Sequence, residues 1–213
     1  MRLNSFLNRF AAFSFAALLS LGCVTEKPAG PEKPDEKDPT QTEGTTIADV
    51  LSAEIGGTFE LENVLVVGAN TNGVLLQQMG SYIYAFYGSE HNLQVGDLLK
   101  VSGTTTTRNG LVQFGSGCTL EKIGTAAVTF PQSETLDVQA IESYMSTPCI
   151  KYVTYSGTVL LSGNYTNLEI EGSSVVGSLD YMSEQFREHY SKHNITVTGW
   201  LFGSYKSYLY TIP

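Results

Sequence analysis

From Thr45 to its C-terminus the chain alternates short runs of Val, Leu, Ile, Tyr and Phe with breaks of Gly, Asn, Ser and Thr, and it does so twice in the same order. Runs of that length bounded by turn residues read as strands. In the first copy strands are expected at about 58 to 68, 74 to 79, 81 to 87, 96 to 105 and 111 to 116. A short helix at Thr46 to Ala53 precedes them, opened by the capping box Thr46-x-x-Asp49, and Asn109-Gly110 is a type I′ hairpin signal. In the second copy a helix at about 135 to 145 precedes strands at about 150 to 162, 166 to 171, 174 to 180, 194 to 203 and 205 to 212. Leu99-Lys100-Val101-Ser102-Gly103 recurs as Ile195-Thr196-Val197-Thr198-Gly199, and Val64-Leu65-Val66-Val67-Gly68 recurs as Val159-Leu160-Leu161-Ser162-Gly163. Two copies of one five-stranded unit account for this order.

The copies differ between their third and fourth strands. The first has only Gly88-Ser89-Glu90-His91-Asn92, whereas the second has Met182 to His193, with Met182, Phe186 and Tyr190 at helical spacing. Five strands with a helix at that place is OB-fold order. The segments Gly73-Val74-Leu75-Leu76-Gln77-Gln78, Ile83-Tyr84-Ala85-Phe86-Tyr87, Val95-Gly96-Asp97 and Val101-Ser102-Gly103 resemble the OB-fold domains of bacterial surface lipoproteins. The resemblance covers residues 45–130 closely and 131–213 more weakly. It implies an all-β chain with short helices, organised as two tandem five-stranded OB-fold-like barrels, domain 1 at 45–130 and domain 2 at 131–213. Its motifs belong to a fold and not to a chemistry.

Strand alternation assigns the faces. Val64, Val66, Val74, Leu76, Ile83, Ala85, Val101, Val159, Leu161, Leu168, Ile170 and Val197 are expected inside. Leu75, Gln77, Tyr82, Tyr84 and Phe86 then turn outward on the first copy, where OB-folds receive ligands through strands two and three and the adjoining loops. Asn70, Thr71, Asn72 and Arg108 would flank that face, an aromatic platform for sugars or bases. The same rings could instead cover the sheet or pack against the second barrel. The matching face of the second copy offers Asn167, Glu169 and Glu171, which repel anions and stack nothing.

The N-terminus sets the address. Met1, Arg2 and Arg9 form a positive flank, an apolar run follows from Phe10 to Leu21, and Gly22-Cys23 closes it. This is a secretory signal peptide at 1–22, because the run is shorter than the roughly 20 apolar residues a membrane span requires. Ser20-Leu21-Gly22-Cys23 resembles the lipobox of bacterial lipoproteins, with Ser20 where Leu is usual, and implies a diacylated, palmitate-type anchor on Cys23. Residues 23–44 are rich in Pro, Lys, Glu and Asp and read as a disordered tether. Val24 is not the aspartate that retains such proteins in the inner membrane, so the resemblance implies the outer membrane. The acidic tract behind the cysteine resembles surface-export signals.

Loss of residues 1–22 removes two arginines and moves the formal charge from -9 to -11. Nucleic-acid affinity rests on clustered Lys and Arg, and here Lys100, Arg108, Lys122, Lys151, Arg187, Lys192 and Lys206 are scattered. A nucleic-acid partner is therefore disfavoured, and a protein or glycan ligand is expected. Cys118 and Cys149 are either a disulfide, as export permits, or two separate buried thiols. His189 and His193 lie four apart on an expected helix, as in zinc sites, but no third ligand accompanies them and Lys192 intervenes. Asp49, Asp97, Asp137 and Asp180 fall where capping and turn roles suffice. The expectation is a non-catalytic binding or assembly module of the cell surface, with no cofactor and no metal.

Overall fold

A computed structural model describes residues 44–180 and 182–213. The signal peptide, the lipid attachment at Cys23 and the tether up to residue 43 lie outside the described residues. The described chain is mostly strand, and among its residues no helix is long and apolar enough to cross a membrane. It opens with α1 (Ile47–Ser52), whose capping box forms: Asp49 N–H donates to Thr46 Oγ1 at 3.3 Å, and Thr46 N–H to Asp49 Oδ2 at 2.8 Å. Ile47 and Val50 point from this helix into the first core.

Strands β1 (Thr58–Asn70), β2 (Gly73–Gln78), β3 (Ser81–Phe86), β4 (Asp97–Arg108) and β5 (Leu111–Phe114) close a five-stranded barrel in the order β1-β2-β3-β5-β4, with β4 returning to β1. This is consistent with an OB-like fold. Closure needs one strand to serve both ends. The 13-residue β1 does so by pairing first with β4 and then with β2, and it bends at bulges between Leu61 and Val64 and between Val66 and Gly68. Asn109 and Gly110 both adopt positive φ, 53° and 78°, which a type I′ hairpin requires. Inside lie Val64, Val66, Val74, Leu76, Ile83, Ala85 and Val101 as alternation predicts, closed over by Phe114 and Leu99. A sixth strand, β6 (Thr119–Thr125), lies along β4. Sequence reading misses it because its side chains are mostly exposed and it is held by backbone pairing, not by an apolar stripe.

The second sheet holds β7 (Glu134–Thr135), β8 (Lys151–Ser162), β9 (Tyr165–Glu169), β10 (Val176–Leu179), β11 (Asn194–Tyr205) and β12 (Tyr208–Ile212). Its order is β11-β12-β10-β9-β8-β7, with β11 also paired to β8. With β9 and β10 only five and four residues long, it is not as clear a barrel as the first. Helix α2 (Val138–Ser146) precedes β8, capped by Asp137, which accepts from Ala140 N–H at 2.8 Å. Val159, Leu168, Ile170 and Val197 are buried as expected. Leu161 is not. It stays 42% exposed because β8 runs past the end of the core it lines, so the alternation is in phase but has nothing to pack on. Helix α3 (Glu184–Tyr190) stops before the second histidine, and Lys192 at φ 65° turns the chain. His189 and His193 therefore do not share a helix face.

Both expected cysteine states are resolved as free thiols in separate cores, Cys118 in the first and Cys149 at the edge of the second. Burial pushes the Cys118 thiol up to about 11, so it behaves as a small apolar side chain.

A third apolar cluster joins the sheets. Val67, Leu75 and Tyr84 of the first pack with Trp200, Phe202 and Ile212 of the second. Trp200 Nε1 donates to Val67 O at 3.0 Å. The tip of the β4–β5 hairpin docks beside this cluster, where Asn109 O accepts from Ser204 N–H at 2.9 Å. That approach requires glycine at 203. Its φ is 125°, and a Cβ there would lie 2.7 Å from Asn109 O. The residue sits in the β11–β12 bulge between Leu201 and Ser204.

Candidate functional site

The residues expected to form an outward platform on the first copy do share one face. Leu75 pairs across to Tyr84, Gln77 to Tyr82, and Gly73 to Phe86. That face is largely covered. Leu75 is fully buried and Tyr84 is 5% exposed. Tyr82 meets the Trp200 ring at 4.9 Å and Tyr84 meets Phe202 at 5.0 Å, both tilted. Gln77 lies with Leu65, Tyr82 and Trp200 along a crevice at the seam. The packing of these rings against the second sheet is thus what the structure displays.

The flanking residues separate into two places. Asn70 Oδ1 accepts from Tyr84 Oη and from Asn72 N–H, both at 3.0 Å, and Asn70 Nδ2 donates to an Asp180 carboxylate oxygen. Asp180 therefore has an inter-sheet role in addition to ending its strand. Burial pushes its carboxyl up to about 6, against the lowering effect of the Asn70 hydrogen bond. Arg108 is elsewhere, with its guanidinium 5.4 Å from the Phe86 ring centroid. Thr71 lines a small surface hollow with His91 and Asn92.

Phe86 and Arg108 open onto a cleft of about 900 Å³ between the β4–β5 hairpin and the β11–β12 hairpin. Its first-sheet wall carries Thr104, Thr106, Gln113 and Ser116, and its second-sheet wall carries Tyr205 and Tyr210. Sequence alternation on β4 places the threonines in register, because a strand presents every second side chain to one face. Burial raises the Tyr210 phenol, Arg108 opposes that shift, and Tyr165, Tyr205 and Tyr208 add to it. Arg108, Tyr205 and Tyr210 line the cleft together.

Register explains how the tyrosines gather. Tyr205 pairs with Tyr208 across β11–β12; Tyr208 lies beside Val176 and Glu169, and Tyr210 beside Ser178 and Asn167. Leu168 and Leu209 point to the core, so Tyr165, Tyr208 and Tyr210 point away from it. The face expected to offer Asn167, Glu169 and Glu171 also carries rings, Tyr208 and Tyr210 from β12 and Tyr165 from β9. The signal was present in Tyr208-Leu209-Tyr210, an alternation that a reading confined to the second and third strands passes over.

The histidines do not assemble a metal site. His189 packs edge-on to Tyr190 at 4.6 Å, His193 Nδ1 lies 3.1 Å from Ser191 O, and no group of three or more His, Cys, Asp or Glu gathers among the described residues. Asp97 is buried, and its carboxylate meets Lys122 Nζ at 2.6 Å and accepts from Gln94 N–H at 3.0 Å. Burial would raise that carboxyl, but the two donors outweigh it and hold it below the usual range. No protein-family model and no curated protein sequence matches this chain.

Proposed function

We propose that the mature chain is a non-catalytic binding or assembly component of a bacterial cell envelope, anchored to the outer membrane through Cys23, with a protein or glycan ligand seated in the cleft between the two hairpins. The observation that carries this reading is the cleft itself. It is large enough for a ligand at about 900 Å³ and combines rings, hydroxyls, an amide and one guanidinium, the mixture of apolar and directional polar groups that binding sites use. The signal peptide, lipobox and tether motivate the address, since a tether of that composition holds a domain away from a surface.

In this reading the second sheet is an OB-like copy of the first. Its strands follow the same cyclic order, and α3 occupies the position between third and fourth strands that the fold family uses. The tandem then works as one body, with the ligand face of the first copy used for docking and that of the second left for binding.

Two experiments test it. A Cys23→Ala variant of the full chain should lose palmitate labelling and leave the membrane fraction; processed variant protein that still sediments with membranes refutes the anchor. Purified mature protein should capture a ligand from a glycan array or an envelope-protein panel, and Arg108→Ala with Thr106→Ala, both exposed on the cleft wall, should abolish capture without lowering Tm. Undiminished capture by that double variant refutes the cleft.

A further inference from the structure

Resting on the cleft reading above, we infer that the ligand is a neutral glycan chain that leaves the cleft and runs over the tyrosine face of the second sheet, with Tyr205, Tyr208 and Tyr165 as successive stacking rings. The cleft and the face share Tyr205 and Tyr210, and beyond them the exposed rings are Tyr208 and Tyr165, with the buried Asn167 and Ser178 between them. Tyr165 is 70% exposed and Tyr205 is 56% exposed. Rings so open contribute little to holding the sheet together; Tyr165 presents its flat face to the C–H faces of sugar rings, and Tyr205 presents the face that Lys206 does not cover.

The polar groups around them suit a ligand made of hydroxyls. Thr104, Thr106 and Ser116 offer paired donor and acceptor capacity on the opposite wall, and Gln113 adds a carboxamide. Asn167 lies in the same row as Ser178 and Tyr210, and its Oδ1 is buried with no hydrogen-bond partner among the described residues. That oxygen is enclosed beneath the face, so the contacts open to a ligand are the hydroxyls and the carboxamide of the cleft wall.

Charge selects against the other linear polymers. Glu169 and Glu171 border the face, and the mature chain carries a formal charge of -11. The nearby cations are Arg108, Lys206 and Arg187, and each is already engaged, Arg108 over Phe86, Lys206 over Tyr205 at 5.3 Å, and Arg187 donating to Gly163 O in the turn before Tyr165. A polyanion needs several phosphate or carboxylate partners and finds none arranged here. A protein partner would need a contiguous apolar centre, whereas Leu160 and Val176, the apolar side chains set among these rings, are separated by Asn167 and Glu169 on β9.

The test uses the mature chain with Cys23→Ala on an array of neutral oligosaccharides, with oligo-dT, polygalacturonate and an envelope-protein panel beside it. The expected result is binding to one or more neutral glycans, weakened about tenfold or more in a Tyr205→Ala, Tyr208→Ala variant with unchanged Tm, and weakened in the same direction by Tyr165→Ala. Neutral-glycan binding that ignores these substitutions overturns the tyrosine track. Binding of oligo-dT, polygalacturonate or a protein that is lost in Arg108→Ala, with no neutral glycan bound, overturns the glycan inference and leaves the cleft reading standing. Absence of binding to every probe overturns both.

Discussion

The outer face of β2 and β3 in the first sheet and the outer face of β9, β10 and β12 in the second arise from the same alternation, yet the first is covered, whereas the second is covered only in part and leaves Tyr165 and Tyr208 exposed. Leu75 is 0% exposed on one, and Tyr165 is 70% exposed on the other. The difference lies in what surrounds the rings. The first face mixes its tyrosines with Leu75 and receives Trp200, Phe202 and Ile212, all apolar and able to exclude water together. The second gives Ile212 and Tyr210 to the same seam, while Tyr165, Tyr208 and Glu169 beyond it stay in solvent. An outward aromatic stripe therefore announces a surface with a purpose, and its neighbours decide whether the purpose is packing or binding.

The largest test of that contrast is Trp200→Ala. The ring contacts both Tyr82 and Tyr152 and its Nε1 bonds Val67 O, so truncation leaves a cavity and an unpaired carbonyl at the seam. A loss of about 3–5 kcal/mol is expected in urea unfolding. A variant as stable as the parent would mean that the covered face does not hold the two sheets together.

Gly203→Ala attacks the same seam from the backbone. A methyl at a φ of 125° that also meets Asn109 O should cost more than about 1 kcal/mol. Its signature is increased amide exchange at Ser204, whose N–H the hairpin tip now binds. Unchanged protection at Ser204 would show that the hairpin tip accommodates the methyl.

Asp180 sharpens the comparison through pH. Burial pushes its folded carboxyl up to about 6 from the ordinary 3.8. Proton uptake thus favours the folded state: that contribution is complete below 3.8 and is lost as pH rises through 6. Melting curves from pH 4 to 7 should show the parent falling relative to Asp180→Asn, which keeps an acceptor for Asn70 without a charge. Parallel curves would remove Asp180 from the seam. Asp97 runs the other way. Its carboxyl is held low by Lys122, so its stabilisation is present above 3.8 and is lost as pH falls through its folded value.

The smallest effect is expected on the open face. Tyr165→Ala should change stability by no more than about 0.5 kcal/mol, because the ring is mostly in solvent. A loss comparable to that of Trp200→Ala would show that the second face is also structural.

The sequence by itself determined the strands that carry an apolar stripe, though not β6, together with the phase of their side chains, the capping box at Thr46 and the Asn109-Gly110 hairpin, since each follows from local covalent geometry and short-range hydrogen bonds. It also placed Leu75, Tyr82, Tyr84 and Phe86 on one face, and it left open whether that face bound a ligand or packed on the second copy. Only tertiary structure decided such matters. Trp200 and Val67 are 133 positions apart, and nothing in either local pattern states that they meet. The same distance hid the partnership of Asn70 with Asp180, the cleft between two hairpins and the exposure of Leu161, whose alternation is sound but whose strand outruns its core. Periodicity says which way a side chain points; what waits there is set by how remote segments pack, because burial is a property of pairs of surfaces and not of one strand.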